Sequence, residues 1–370
     1  MAARLSSVYV YALLLSSPLL GDDINPVPTE RQRVPDPRKD RQVTPSARPQ
    51  VQGGINLYLT GDWLYFKPQE KGLTYALESN ATSSATLGTT IWNLGNGKYK
   101  STNFDWSSGF RVGIGWNTKH DDWDFLLSWM RFYSHEKNSV ASSGSTYVFP
   151  TLGDPAIALG PVASASANFQ LHLNQIELSL GREFYVSRAL SLKPLIGIVT
   201  SWIDQKYITN YDTMLGMGSL LAGTFNKNTN NNDFWGSGLK GGMNTQWDLG
   251  WGFSIFGNGA LSILYGKFDV KKTSEVNASA GGAPIDKNPS ARDNFYLARY
   301  IADVSLGLRF DYMFNDDRIH LGLQGGWEDH IYFGQNQMLT SSNIYNVGHN
   351  EPANQDLTLQ GFALSARLDF

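Results

Sequence analysis

The 370-residue chain contains no cysteine, which excludes a disulfide framework, thiolate catalysis and any Cys-ligated zinc or iron–sulfur centre. Charge is scarce as well: 17% of residues are Asp, Glu, Lys or Arg, and 30 basic against 33 acidic side chains leave a net of −3. That balance gives no electrostatic basis for nucleic acid as a partner and none for a polybasic membrane arm. Past the N-terminus, no uninterrupted apolar stretch approaches the roughly 20 residues that a transmembrane helix needs. Glycine is abundant, at 37 residues, as are aromatics, with 11 Trp, 17 Tyr and 19 Phe. Glycine costs about 1 kcal/mol relative to alanine inside a helix and aromatics favour a pleated surface, so this composition points to β structure.

The N-terminus is organised like an export signal: Arg4, the apolar run Val8–Leu15, then Ser16, Ser17 and Pro18 before Leu19, Leu20 and Gly21. Cleavage is expected near Gly21, making residues 1–21 a signal peptide. The competing reading, a buried N-terminal helix, lacks apolar surface in the next segment to pack against. Residues 22–53 carry Pro26, Pro28, Pro35, Pro37, Pro45 and Pro49 among Arg, Asp, Gln and Thr, which predicts a disordered periplasmic linker. An exported chain without an apolar helix is soluble or is a transmembrane barrel.

Period two dominates residues 54–370. Trp106, Phe110, Val112, Ile114 and Trp116 alternate with Ser107, Gly109, Arg111, Gly113 and Gly115; Val304, Leu306, Leu308, Phe310 and Tyr312 alternate with Asp303, Ser305, Gly307, Arg309 and Asp311. A soluble sandwich also alternates, but its polar face is rich in Lys and Glu, whereas Gly, Ser, Asn and Gln dominate this one. Strands are expected near 55–66, 105–116, 123–135, 170–184, 191–206, 234–247, 252–269, 295–312, 318–332 and 357–370. Their connections alternate between short (117–122, 185–190, 248–251, 313–317) and long (67–104, 136–169, 207–233, 270–294, 333–356). Short periplasmic turns and long extracellular loops are the organisation of an outer-membrane barrel. The expected fold class is all-β, a closed antiparallel transmembrane β-barrel of ten strands, or twelve if residues 73–99 hide a further hairpin, in the outer membrane of a Gram-negative-type bacterium.

Trp63, Trp106, Trp116, Trp123, Trp202, Trp235, Trp247, Trp251 and Trp327 fall at or near strand ends, joined there by Phe66, Tyr133, Phe184, Tyr207, Phe268, Phe295, Tyr332 and Phe333. Amphipathic rings collect where hydrocarbon meets headgroups, so these residues are expected to form two girdles against outer-membrane lipid. Phe370 closes a strand in which Phe362, Leu364, Ala366 and Leu368 share one face and Ala363, Ser365, Arg367 and Asp369 the other. By resemblance to many barrels that end this way, Phe370 is the signal read by the outer-membrane assembly machinery.

Several segments carry a narrower resemblance. Gly61–Ala76, Gly109–Trp116 followed by His120–Asp124, Glu177–Val186 continuing to Trp202–Gln205, and Phe234–Gly242 resemble the chlamydial and Legionella-type major outer membrane protein-like family, over essentially everything from Leu57 to Phe370. The resemblance implies a pore-forming barrel. The best-known chlamydial members are cysteine-rich and cross-linked; this chain has no cysteine, so a cross-linked envelope role does not carry over.

Inward parity makes Arg111, Glu177, Lys193, Lys240, Asn244, Gln246, Asp303, Arg309, Asp311, Gln324, Glu328, Arg367 and Asp369 the candidate pore lining. Arg111, Lys240, Arg309 and Arg367 lie toward the inner strand ends, and as an open basic belt they favour anions. Alternatively, the lumenal charges pair with one another and partly fill a narrow barrel. Parity is left open on strand 123–135, where Arg131 shares a face with Trp129. Six histidines are present, at 120, 135, 172, 320, 330 and 349. His135, His172 and His330, with Glu328 and Asp329, fall near the outer rim, where a base and its orienting carboxylate can meet. Neither Gly-x-Ser-x-Gly nor His-Glu-x-x-His occurs, so no catalytic residue, metal or cofactor is expected. The sequence thus reads as a porin-like channel for passive diffusion of small hydrophilic solutes, with a homo-oligomer compatible with it. The alternative is a structural or adhesive surface barrel whose long loops bind host or envelope partners.

Overall fold

The computed structural model describes residues 44–86, 89–118, 122–152, 160–214, 225–280, 283–287, 290–341 and 350–370. The expected signal peptide, the linker as far as residue 43, and His120 and His349 lie outside the described residues. Ten long strands build the wall: β1 Leu57–Glu70, β2 Ser107–Asn117, β3 Trp123–Ala141, β4 Val162–Arg182, β5 Leu190–Met214, β6 Phe225–Gly250, β7 Phe253–Ala280, β8 Ser290–Phe314, β9 Ile319–Asn336 and β10 Gln355–Asp369. Each runs antiparallel to the next, and β1 also pairs with β10, from Tyr58 opposite Asp369 to Glu70 opposite Leu357, which closes the ring. Closure satisfies the backbone of every membrane-crossing strand, a condition hydrocarbon imposes.

Alternation decides which side chains meet lipid. On β2, Phe110, Val112, Ile114 and Trp116 are exposed outward, while Gly109, Arg111, Gly113 and Gly115 turn in. Gly115 has a specific reason to be glycine: a Cβ there would sit 1.9 Å from the Tyr58 ring, which lies across β2 inside the barrel.

The strands run farther outward than the sequence pattern suggests. β6 and β7 have 26 and 28 residues, so much of 207–233 and 270–294, expected as loops, is paired strand. That chain is rich in Asn, Thr and Lys and reads as loop by composition. In the fold both neighbours supply backbone partners, and Asn226, Asn228, Asn230 and Asn232 turn inward and are buried. At ~3.3 Å per residue and a tilt near 40°, such strands stand more than two and a half times as tall as the ~25 Å apolar band of a membrane barrel. The hairpin within 73–99 exists, as Thr74–Thr86 and Thr89–Ser101, but its sheet pairing with the wall runs through the short strand Thr146–Pro150, and it is not part of the ring. The barrel therefore has ten strands, not twelve.

Residues 44–53 lie along the periplasmic turns. Ser46 forms a bridge with Phe184, Arg48 reaches Asp122 at 2.6 Å, and the Gln52 N–H donates to the Asp317 carbonyl at 2.8 Å.

All nine expected girdle tryptophans are exposed, Trp251 most of all at a periplasmic turn. Trp63, Tyr65, Trp106, Trp327 and Phe362 stack into one outward cluster. Trp202 and Trp235 sit side by side at the outer level, and Trp247 marks the inner level on β6. Four rings expected beside them are elsewhere: Phe66, Tyr207, Phe268 and Tyr332 turn into the barrel and are buried. Each sits near a strand end like a girdle residue, but strand parity points it inward. Phe295 likewise packs against the interior core.

Candidate functional site

The interior is layered. Nearest the periplasm, the Tyr58 hydroxyl donates to Asp124 at 2.5 Å, Lys193 Nζ donates to the other Asp124 oxygen at 2.7 Å, and the Arg367 guanidinium lies 3.8 Å over the Tyr58 ring. Arg367 pairs with Asp369 at 2.7 Å and Arg309 with Asp311 at 2.8 Å. His320 is held between these two carboxylates, Nδ1 at 2.7 Å from Asp369 and Nε2 at 2.9 Å from Asp311.

One level up, a chain of alternating charge crosses the lumen. Arg111 Nε donates to Asp62, and its Nη2 to Glu328 at 2.9 Å. His330 bridges Glu328 and Asp303 at 3.2 and 2.8 Å, and Lys240 bridges Asp303 and Glu177 at 3.0 and 2.8 Å. The chain joins β1, β2, β9, β8, β6 and β4. Carboxylate oxygens only accept, so a ring with both nitrogens on carboxylates carries two N–H groups and is an imidazolium. With His320 and His330 so charged, the cations Arg111, Lys193, Lys240, Arg309, Arg367, His320 and His330 match the anions Asp62, Asp124, Glu177, Asp303, Asp311, Glu328 and Asp369 in number, while the further inward carboxylate Glu183 accepts from Ser191 at 3.0 Å. The open basic belt expected as one reading of Arg111, Lys240, Arg309 and Arg367 is therefore corrected: every member is paired with a carboxylate. The narrow, low-dielectric interior makes an unpaired charge costly, and facing strands supply the partners.

These layers surround a polar cavity of about 300 Å³. Of the thirteen lining residues expected, Arg111, Glu177, Lys193, Lys240, Asn244, Gln246, Asp303, Arg309, Gln324, Glu328 and Arg367 reach it; Asp311 and Asp369 also face inward and are spent on His320. Asp62, Asp124 and His320 were absent from that set, although inward parity on β1, β3 and β9 would have found them.

Above the charges the interior is mainly apolar, with Ser201 and Tyr332 donating to Gln175 at 3.0 and 3.2 Å among the apolar side chains. Leu64, Phe66, Met130, Phe132, Leu171, Leu173, Ile203, Phe234, Leu264, Phe268, Ile301, Tyr332, Leu357 and Leu359 point inward, none more than 3% exposed. Phe66 lies 5.9 Å from Phe132, and Phe234 lies 4.6 Å from Phe268. This septum separates the polar cavity from the outer mouth. Over it the first extracellular connection folds in: Tyr207 and Tyr211 donate from β5 to the carbonyls of Leu73 and Tyr75 at 2.8 and 2.7 Å. Burial pushes the Tyr211 phenol up to about 12, keeping it a donor. Glu70, at the outer end of β1, accepts from Gln205 at 2.7 Å; burial raises its carboxyl pKa well above the ordinary range, and that hydrogen bond only partly opposes the rise.

Residues 53–370 match the family model of the Legionella pneumophila major outer membrane protein precursor. The chain belongs to that family. It is an outer-membrane protein, in agreement with its closed barrel. No curated protein sequence matches the chain. Solved structures similar to this major outer membrane protein-family barrel include the Escherichia coli outer membrane protease OmpT, at 11% identity and TM-score 0.39, covering 86% of this chain and 97% of the other. A Pseudomonas aeruginosa FadL homologue follows at 10% identity and TM-score 0.28, covering 85% and 89%. The Pseudomonas putida toluene transporter TodX shares 9% identity at TM-score 0.23, covering 88% and 91%. In the family barrel the rim histidines do not converge. His330 is buried in the charge chain, whereas His135 and His172 face outward, where His135 meets only Asn168. Among the described residues, no group of three or more His, Asp or Glu is placed to hold a metal ion.

Proposed function

We propose that this barrel is a non-enzymatic channel for small hydrophilic solutes, held closed by the apolar septum. The polar cavity below the septum carries this reading. Buried ion pairs contribute little net stability compared with apolar packing of the same volume, so a purely structural barrel gains nothing from so many interior charges, whereas a solute path needs a wettable wall. Refolded full chain added to a planar lipid bilayer should give infrequent discrete conductance steps, marking transient openings of the septum. In a salt gradient the reversal potential should lie close to zero, with at most a slight lean toward cations, because all but one of the cavity's carboxylates are matched by cations. Silence from both the parent and a Phe66→Ser, Phe132→Ser variant with its septum opened, each a heat-modifiable, folded barrel, would transfer the reading to a structural or adhesive surface barrel, which the septum and the extended outer wall support.

Phe370 is proposed as the contact for the assembly machinery. Its ring is partly exposed, while its N–H holds the Leu57 carbonyl at 2.9 Å. Phe370→Ser should lower the heat-modifiable fraction recovered from outer membranes while leaving detergent refolding intact; an unchanged fraction would remove that role.

A further inference from the structure

We propose that the outward wall of β3 and β4, just above the membrane, binds the phosphate groups of an anionic outer-leaflet lipid. The starting observation is Arg131. β3 pairs with β2 and β4 without a register shift, so no bulge turns Arg131 inward, and it is exposed on the lipid-facing side between Trp129 and Tyr133. Phe110 meets Trp129 edge-on at 5.4 Å and Tyr133 meets His172 at 4.6 Å. The guanidinium therefore emerges among aromatic rings of the kind that mark the interface. Trp123 at the inner end of β3 lies eight residues below. At ~3.3 Å per residue and a tilt near 40°, Arg131 stands roughly 20 Å higher, at the top of a ~25 Å apolar band, which is the level of the outer-leaflet phosphates.

The outward face of β3 is cationic, and Asp204 on β5, opposite His172, is the nearest outward carboxylate. His135 and Lys137 continue the outward face of β3, His172 lies on β4, and Lys206 on β5 sits opposite Gln170; all four charged or titratable side chains are exposed. Neither β3 nor β4 presents an outward Asp or Glu above Trp129. Arg131 and Lys137 have no ion-pair partner among the described residues. The neighbouring sector is mixed in sign, with Arg292 paired to Asp269 and Lys267 and Lys271 on the same face. Asp204, Asp233 and Asp269 are direct neighbours across β5, β6 and β7, one step above Trp202 and Trp235. Burial, then the adjacent Asp204 and Asp269, pushes the Asp233 carboxyl up to about 6. A phosphate is drawn most strongly to the β3 face, where no outward carboxylate stands above Trp129, and Arg131 offers it a bidentate fork. Below it, exposed Leu127, Ile176 and Leu178 accept acyl chains.

The test uses the refolded full chain in phosphatidylcholine vesicles carrying diphosphorylated lipid A or its dephosphorylated form. Lipid retained by the re-extracted barrel is counted by native mass spectrometry. The parent should retain the phosphorylated form preferentially, and Arg131→Glu with Lys137→Glu should reduce that retention about tenfold. Lys267→Glu with Lys271→Glu, in the mixed-sign sector, should leave it unchanged. All variants are compared as heat-modifiable barrels, and Arg131→Gln supplies a milder change that should still lower retention. Equal retention of both lipid forms, parent-like retention by the Arg131 and Lys137 variant, or loss only in the Lys267 and Lys271 variant would each overturn the proposal.

Discussion

Conductance through the Phe66→Ser, Phe132→Ser double variant is expected to exceed that of the parent barrel by about tenfold, because an apolar constriction blocks ions by excluding water and hydroxyl groups readmit it. The two rings face each other from β1 and β3, each at most 1% exposed. Truncating a buried aromatic costs about 3–5 kcal/mol, so folding must be checked by heat-modifiability. An independent readout avoids relying on conductance alone. Since the chain has no cysteine, Ser128→Cys in the cavity wall is a unique label site. A charged thiol reagent added outside should label it slowly in the parent and rapidly in the double variant. If both barrels label slowly, the barrier is the segment that Tyr207 and Tyr211 hold over the mouth, and the septum is not the gate.

Lys240→Met is expected to destabilise the barrel by about 3 kcal/mol, because it leaves Glu177 without a cation and Asp303 with His330 alone, in a narrow lumen where solvent screens them poorly. Urea unfolding in lipid should register the loss. Adding Glu177→Gln should restore most of it by removing the stranded charge, while Asp303 keeps His330. The single variant should also shift the reversal potential toward cations. The Lys227 and Glu275 pair on the outer wall, with 32% and 46% of the side chains exposed, makes a control: breaking it should change stability by about 0–1 kcal/mol. Equal losses at the two sites would mean that the interior chain is as solvated as the surface.

The wall was readable from sequence because alternation is local. Each strand declares its two faces within a few residues, and the exposed tryptophans from Trp63 to Trp327 stand where interface chemistry puts them. The septum was not readable in the same way. Phe66 and Phe268 lie near the ends of apolar segments, as girdle residues do, and only parity carried through the whole strand separates a ring facing lipid from one facing the lumen. Charge pairing was harder still. Arg111 contacts Asp62 on the adjacent strand, but its second partner, Glu328, is 217 positions away in sequence, and only ring closure makes them neighbours. The outward growth of β6 and β7 was hidden for another reason: above the membrane the outer face is wet, so its alternation is polar against polar.

The seam between β1 and β10 has a consequence for biogenesis. The first strand to emerge finds its second partner only in the last, through thirteen residue pairs running from Tyr58 to Glu70. Until then both flanks of the nascent sheet are adhesive, and each is the sole correct match for the other. Completion of the chain is thus checked by geometry itself: a fragment lacking β10 has no way to finish its own perimeter, and its raw borders mark it for whatever quality control removes unfinished barrels.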